Sequence, residues 1–239
     1  MLRIVLYLVC CFVLSNAATV SYITPCKPDD KPCMIASAQA AIPHVANGIP
    51  EFHVPVLDPI SIESVRNDGK DLQLGFRNLQ VYGTSKCKVI DLTRGLGSKP
   101  TISMTVECPL RSVGQYDLKG KLLFIEAFGD GDFEIKTNKV RIDVMTRTKE
   151  IEGADGKKHW KVTGFDYTYD LVEKVDFRLE NLFGGDETRA KPILEVLEHS
   201  WKEIVTELGG PIIHELLSKA IQAVNKFFYV VPADNLEIA

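Results

Sequence analysis

From about Leu72 to Leu179 the chain changes between apolar and polar at nearly every step. Ile102, Met104, Val106, Cys108 and Leu110 alternate with Thr101, Ser103, Thr105 and Glu107. Leu72, Leu74 and Phe76 share one phase, and Leu79, Val81 and Val89 take the other. Tyr116, Leu118, Leu122, Phe124 and Phe128 form an even-numbered face. Phe133 and Ile135 give way to Val140, Ile142 and Val144; Trp160 and Val162 give way to Phe165, Tyr167, Tyr169 and Leu171, then Val175, Phe177 and Leu179. A period of two predicts antiparallel strands with one dry face. The phase changes near Asn78, Asn138 and Gly164 predict β-bulges, which bend and twist a sheet. Turns are expected at Gly95–Ser98, Gly129–Asp132 and Gly153–Gly156. The runs exceed the usual strand length, so the sheet is expected to be long and strongly curved.

The flanks read as helix. Met34, Ile35, Ala38, Ala41, Ile42 and Val45 share one face of a segment from Pro32 to Ala46. Pro43 tightens its last turn and Gly48 stops it. Pro50, Pro55 and Pro59 then call for an extended, edge-like run. Towards the C-terminus, Asp186 is placed to cap a helix. Ile193, Val196, Leu197, Trp201, Ile204, Val205 and Leu208 recur at helical spacing up to Gly209-Gly210. Pro211 suits the start of a second helix. There Ile212, Ile213, Leu216, Leu217, Ala220, Ile221, Val224, Phe227 and Phe228 cover more than half the circumference. A helix that apolar needs burial on most sides.

These elements give an α+β fold. A long C-terminal helix is wrapped by a strongly curved antiparallel sheet, with a further helix at the N-terminus. A helix inside a long rolled sheet leaves part of the interior unfilled, so a hydrophobic tunnel is expected. Its candidate lining is Val81, Val106, Phe124, Phe133, Val140, Ile142, Tyr167, Tyr169, Trp201 and Leu216. For Tyr116, Tyr167, Tyr169 and Trp201 two readings stand: a polar contact to a ligand oxygen, or a core aromatic bonded to a backbone carbonyl.

Residues 1–17 read as a signal peptide, with Arg3 before the apolar Ile4–Leu14 run and Ser15-Asn16-Ala17 at the cleavage site. Residues 18–239 are then one secreted, extracellular domain. Cleavage removes Cys10 and Cys11 and leaves Cys26, Cys33, Cys87 and Cys108, with three possible pairings. Cys87 and Cys108 face each other about the Gly95–Lys99 turn; they are either bridged or two reduced core thiols. The formal charge of −4 becomes −5 when Arg3 is lost. That balance gives no footprint for nucleic acid and no basic tail for anionic membrane.

Candidate chemistry is sparse. His44, His53, His159, His199 and His214 show no metal-ligand spacing. Nucleophile elbow, P-loop and dinucleotide motifs are absent. Gly129-Asp130-Gly131-Asp132 lacks the spacing and terminal Glu of a calcium loop. No metal, cofactor or catalytic residue is assigned.

Cys26…Cys33, Gly48-Ile49-Pro50-Glu51, Leu57-Asp58-Pro59-Ile60, Asn78-Leu79-Gln80-Val81-Tyr82-Gly83, Gly114-Gln115-Tyr116-Asp117-Leu118-Lys119-Gly120 and Asn181-Leu182-Phe183, followed by a helix carrying Trp201, resemble the insect takeout and juvenile-hormone-binding family. The resemblance covers nearly the whole chain after the leader. It implies half of a tubular lipid-binding fold and a disulfide matching Cys26–Cys33. It also implies a secreted, non-enzymatic carrier of a small lipophilic ligand in extracellular fluid such as haemolymph. Two departures stand out. The hormone-carrier branch has a disulfide in its C-terminal half, whereas this chain has no cysteine beyond Cys108, which favours the takeout-like branch. Gly184 also stands where the family carries an Asn.

The expected function is a monomeric carrier of a juvenile-hormone-like terpenoid, fatty acid or isoprenoid. Its alternatives are a module for lipid transfer or microbial-lipid recognition, and a hormone-ester hydrolase.

Overall fold

The computed structural model describes residues 20–122 and 125–238. The leader therefore lies outside the described residues. The first helix, α1, spans Lys31–Ala46, and Asp30 caps it by accepting from the Cys33 N–H at 3.0 Å. Seven strands follow: β1 (Ile60–Asp68), β2 (Leu72–Tyr82), β3 (Lys88–Gly95), β4 (Thr101–Leu122), β5 (Ile125–Glu152), β6 (Lys158–Leu171) and β7 (Val175–Leu179). Three helices close the chain: α2 (Glu187–His199), α3 (Trp201–Leu208) and α4 (Gly210–Val230). No helix among the described residues is long and apolar enough to cross a membrane.

The antiparallel sheet runs in the order β1-β2-β4-β5-β6. Its spine is the β4–β5 hairpin. At about 3.3 Å per residue, the 22 residues of β4 reach roughly 70 Å. Shorter strands share its margins end to end. Beside β4, β3 pairs with residues 101–107 and β2 with residues 111–120. Beside β5, β7 pairs with residues 133–137 and β6 with residues 140–152.

All three expected phase changes are register shifts. They fall between Arg77 and Gln80, opposite residues 138–139, and at Thr163. A fourth lies between Val89 and Asp91, where the extra residue Ile90 points outward. β1 is a strand that the alternation did not announce. It begins directly after the proline-spaced segment, as an edge.

One expected turn is overturned. Gly129–Asp132 lies inside β5, and the hairpin reverses between the paired residues Leu122 and Ile125. The glycines serve a crossing. A Cβ on Gly131 would lie 2.7 Å from the Glu180 carbonyl oxygen, and one on Gly129 would lie 3.1 Å from the Leu182 Cα. The segment after β7 can therefore settle on β5, where the Glu180 N–H donates to the Asp132 carbonyl.

α4 lies against both β1 and β6, the two ends of the strand order. Three polar clamps hold it along β6. Tyr167 donates to the Gly210 carbonyl at 3.1 Å. The Asn225 amide accepts from the Val162 N–H at 2.8 Å and donates to its carbonyl at 3.1 Å. His159 Nδ1 lies 2.9 Å from the Phe228 carbonyl. On the other margin, Gln39 of α1 treats β3 in the same way, accepting from the Val89 N–H at 2.8 Å and donating to the Cys87 carbonyl at 3.2 Å.

Both disulfides sit at this α1–β3 end. Cys26–Cys33 and Cys87–Cys108 are bridged, with Cα separations of 5.8 and 4.2 Å. The second closes a loop worth about 3 kcal/mol in the chain-entropy model. The C-terminal tail arrives here too. The Cys26 N–H donates to the Leu236 carbonyl, and buried Arg94 pairs with Glu237 at 2.9 Å.

Asp58 ties the proline-spaced run to the turn at Thr84–Lys86. It accepts from the N–H groups of Gly83 (2.9 Å) and Ser85 (3.0 Å) and from the Ser85 hydroxyl. Partial burial pushes its carboxyl up, but those three donors and the charge of Lys86 outweigh burial and hold it below the ordinary aspartate value. A depressed folded pKa adds stability above the unfolded value of about 3.9, and that stability is lost as pH falls through the folded pKa. Asp58→Ala is expected to cost about 1–3 kcal/mol at pH 7. In urea titrations at pH 7 and pH 3, the gap to wild type should narrow at the lower pH. A gap that is equal at both would show that the carboxylate charge is not what stabilises the turn.

Candidate ligand cavity

The helical layer does not fill the sheet evenly. Over the α1–β3 end, α4 places Leu216, Leu217, Ala223 and Phe227 in a dry core. Phe227 meets Phe52 and Phe228 meets Trp160, at ring separations of 6.0 and 5.6 Å. Over the other end the cover is made of shorter pieces. Ser200, at φ −110° and ψ 22°, separates α2 from α3, and Gly209 separates α3 from α4. The expected single helix up to Leu208 is thus two helices, and their apolar faces roof the sheet without filling it.

A cavity lies beneath that roof. Counting the part open to solvent, it holds about 1080 Å³ of unfilled space, of which about 150 Å³ admits the centre of a water-sized sphere. By the latter measure a single water needs only about 10–15 Å³, so this is no packing defect.

Its floor is built from rows that cross the sheet. Ser112, Ile135 and Phe177 are register neighbours on β4, β5 and β7, as are Leu110, Thr137 and Val175. Leu74 and Phe76 of β2 face Leu118 and Tyr116 of β4. Phe76 meets Phe133 edge-on at 4.8 Å. The roof is Leu197 of α2, then Ile204, Val205, Leu208 and Gly209, and Ile212 and Ile213 of α4. Among the described lining residues there is no Asp, Glu, Lys, Arg or His. Among all described residues, no group of three or more His, Cys, Asp or Glu side chains converges as a metal site requires.

Three lining side chains carry hydroxyls: Ser112, Tyr116 and Thr137. Tyr116 donates to the Glu180 carbonyl at 2.7 Å. Burial, aided by the charge of Asp130, pushes its phenol up to about 12. It is a neutral donor committed to the β7–α2 crossing. Thr137 donates to the Glu173 carbonyl at 3.3 Å. The Ser112 hydroxyl has no hydrogen-bond partner among the described residues.

Of the residues singled out from the sequence, Phe133 and Val140 line the cavity. Val81, Val106, Ile142 and Leu216 are buried in the core outside it, with Val106 and Ile142 directly paired across β4 and β5. Tyr167 and Tyr169 spend their hydroxyls on the helical roof; Tyr169 donates to the Val205 and Thr206 carbonyls at 3.0 and 3.1 Å. Trp201 is half-buried against the core. Phe124 lies outside the described residues. Among the described residues none before Leu74 lines the space; the Cys26–Ile62 stretch lies outside it, with Ile62 paired to the lining residue Leu79. The residues missed from the sequence lie on the same alternating faces. The signal that distinguishes them is the pair of helix breaks above them.

Tyr116→Phe is expected to lower stability by about 1 kcal/mol while leaving the uptake of an apolar fluorescent dye unchanged. Phe133→Trp should reduce dye uptake at unchanged melting temperature. Equal uptake by Phe133→Trp and wild type would place the dye elsewhere.

The family model described as haemolymph juvenile hormone binding protein matches residues 5–237. The circadian clock-controlled protein daywake of Drosophila melanogaster is 26% identical over 227 residues, covering 90% of this chain and 86% of that protein. The daywake protein of Drosophila yakuba is 27% identical over 210 residues, covering 83% and 80%. The crystal structure of Epiphyas postvittana Takeout 1 superposes with a TM-score of 0.87 at 23% identity, covering 91% of this chain and 100% of that one. It shares the curved antiparallel sheet and its helices.

Proposed function

The chain belongs to the haemolymph juvenile hormone binding protein family, and from that premise we propose that it is a secreted, monomeric carrier whose cavity holds a small neutral lipid. Residues 18–239 act as one carrier domain behind a leader at 1–17. The observation that carries this reading is a ligand-sized cavity whose lining is apolar and uncharged. Binding, rather than catalysis, is what such a lining supports.

The same lining orders the ligand classes. A terpenoid or isoprenoid that hides about 400 Å² of apolar surface gains roughly 10–13 kcal/mol gross at 25–33 cal/mol/Å². An association cost of at least about 4 kcal/mol leaves affinity between tens of micromolar and sub-micromolar. An ionised fatty acid would bury a carboxylate with no cation among the lining residues, which costs far more than a lost hydrogen bond. Neutral esters, ketones, epoxides and alcohols are therefore the favoured cargo. Both disulfides lie before residue 109, which supports the takeout-like branch over the hormone-carrier branch.

The test is a titration of delipidated protein with methyl farnesoate and with farnesoic acid. At pH 7.4 the ester is expected to bind, and the acid about tenfold or more weakly. Acid binding should recover as pH falls towards the carboxyl pKa of about 4–5. Failure of both to bind would sink the carrier reading. Equal binding at pH 7.4 would sink the preference for neutral cargo.

A further inference from the structure

We propose that the Ser112 hydroxyl is the polar anchor of the cavity, donating to an acceptor oxygen of an otherwise apolar ligand. The proposal rests on the carrier reading above and adds the residue that orients the cargo.

Ser112 interrupts an inward-facing row that is otherwise apolar. Val106, Cys108 and Leu110 precede it at two-residue spacing, and Tyr116 and Leu118 follow in the same phase. Its register neighbours are Val81 on β2 and Ile135 on β5. A hydroxyl among such neighbours costs free energy unless it finds a partner.

Elsewhere in this sheet that requirement is met within the protein. Buried Thr146 donates to the Ile102 carbonyl at 3.0 Å. Buried Thr148 donates to the Pro100 carbonyl at 3.1 Å and accepts from Arg94 at 3.1 Å. In the cavity itself, Tyr116 and Thr137 are bonded to backbone carbonyls. Ser112 alone among the lining hydroxyls has no partner among the described residues. Nor is it walled in. Ser112 is only partly buried, and its hydroxyl is not among the sealed, partnerless side-chain polar atoms of the described residues, where Tyr22 stands alone.

The chemistry that fits is one acceptor oxygen on a long apolar body. An ester or ketone carbonyl or an epoxide accepts from a hydroxyl; a pure hydrocarbon leaves it unmet. With a single free hydroxyl donor among the described lining residues, the oxygen has one place to dock, and the apolar body must extend from there between β4, β5 and the helical roof. Ser112 would therefore set the ligand's direction as well as part of its selectivity.

A matched pair of probes tests this: methyl farnesoate, a terpenoid ester, and β-farnesene, its hydrocarbon counterpart. Wild type is expected to prefer the ester. Ser112→Ala should weaken the ester about fivefold to tenfold, the worth of one neutral hydrogen bond, and leave the hydrocarbon unchanged. Unchanged hydrocarbon binding also reports an intact cavity. The carbonyl stretch of carbonyl-labelled ester should move to lower frequency on binding to wild type and return on Ser112→Ala. An ester affinity and carbonyl frequency unaffected by the substitution would overturn the anchor while leaving the carrier reading intact. Failure of both probes to bind wild type would overturn both.

Discussion

The docking of α4 between the two ends of the strand order is the constraint on which the rest of the structure depends. An open curved sheet leaves unpaired backbone along its margins. A helix apolar around most of its circumference cannot rest on a surface. Each solves the other's problem. The sheet curls until β1 and β6 both reach α4, and the helix returns side-chain amides to the exposed edge. Asn225 supplies Val162 with the donor and acceptor that a neighbouring strand would have given. Gln39 does the same between Cys87 and Val89. Two unrelated helices thus use one device on two margins.

The cavity follows from the same packing by subtraction. α4 begins only at Gly210, and the hairpin spine runs on past it. That remaining length of sheet is covered by α2 and α3, the two shorter helices that Ser200 separates. Tyr167, Tyr169 and Asn67 hold the α3–α4 junction through backbone carbonyls. The roof is therefore propped by side chains from the strands, and the space beneath it is framed by specific bonds.

Much of this was legible along the chain. Period-two alternation marked the strands, and its phase changes marked three bulges, because a bulge moves every later side chain to the other face. The family resemblance gave the architecture, which the Takeout 1 structure shares at a TM-score of 0.87. What misled was glycine. Gly129 and Gly131 look like a turn, yet they mark a strand crossed by residues 180–182. A close approach between distant segments leaves the same local signature as a tight turn. The cavity residues were only partly legible for a related reason. Alternation shows that Val106 and Phe133 both point inward. Which one meets a filling helix and which meets a gap depends on where α4 starts.

The positions of the two disulfides have a mechanical consequence. Cys26–Cys33, the α1–β3 contact and the tail at Leu236–Glu237 lie together, whereas Cys87–Cys108 joins the start of β3 to β4 where the hollow begins, since Cys108 pairs with the lining residue Val140. The margin of the floor is thus covalently fixed beside the hollow, while α2 and α3, which roof it, carry no crosslink.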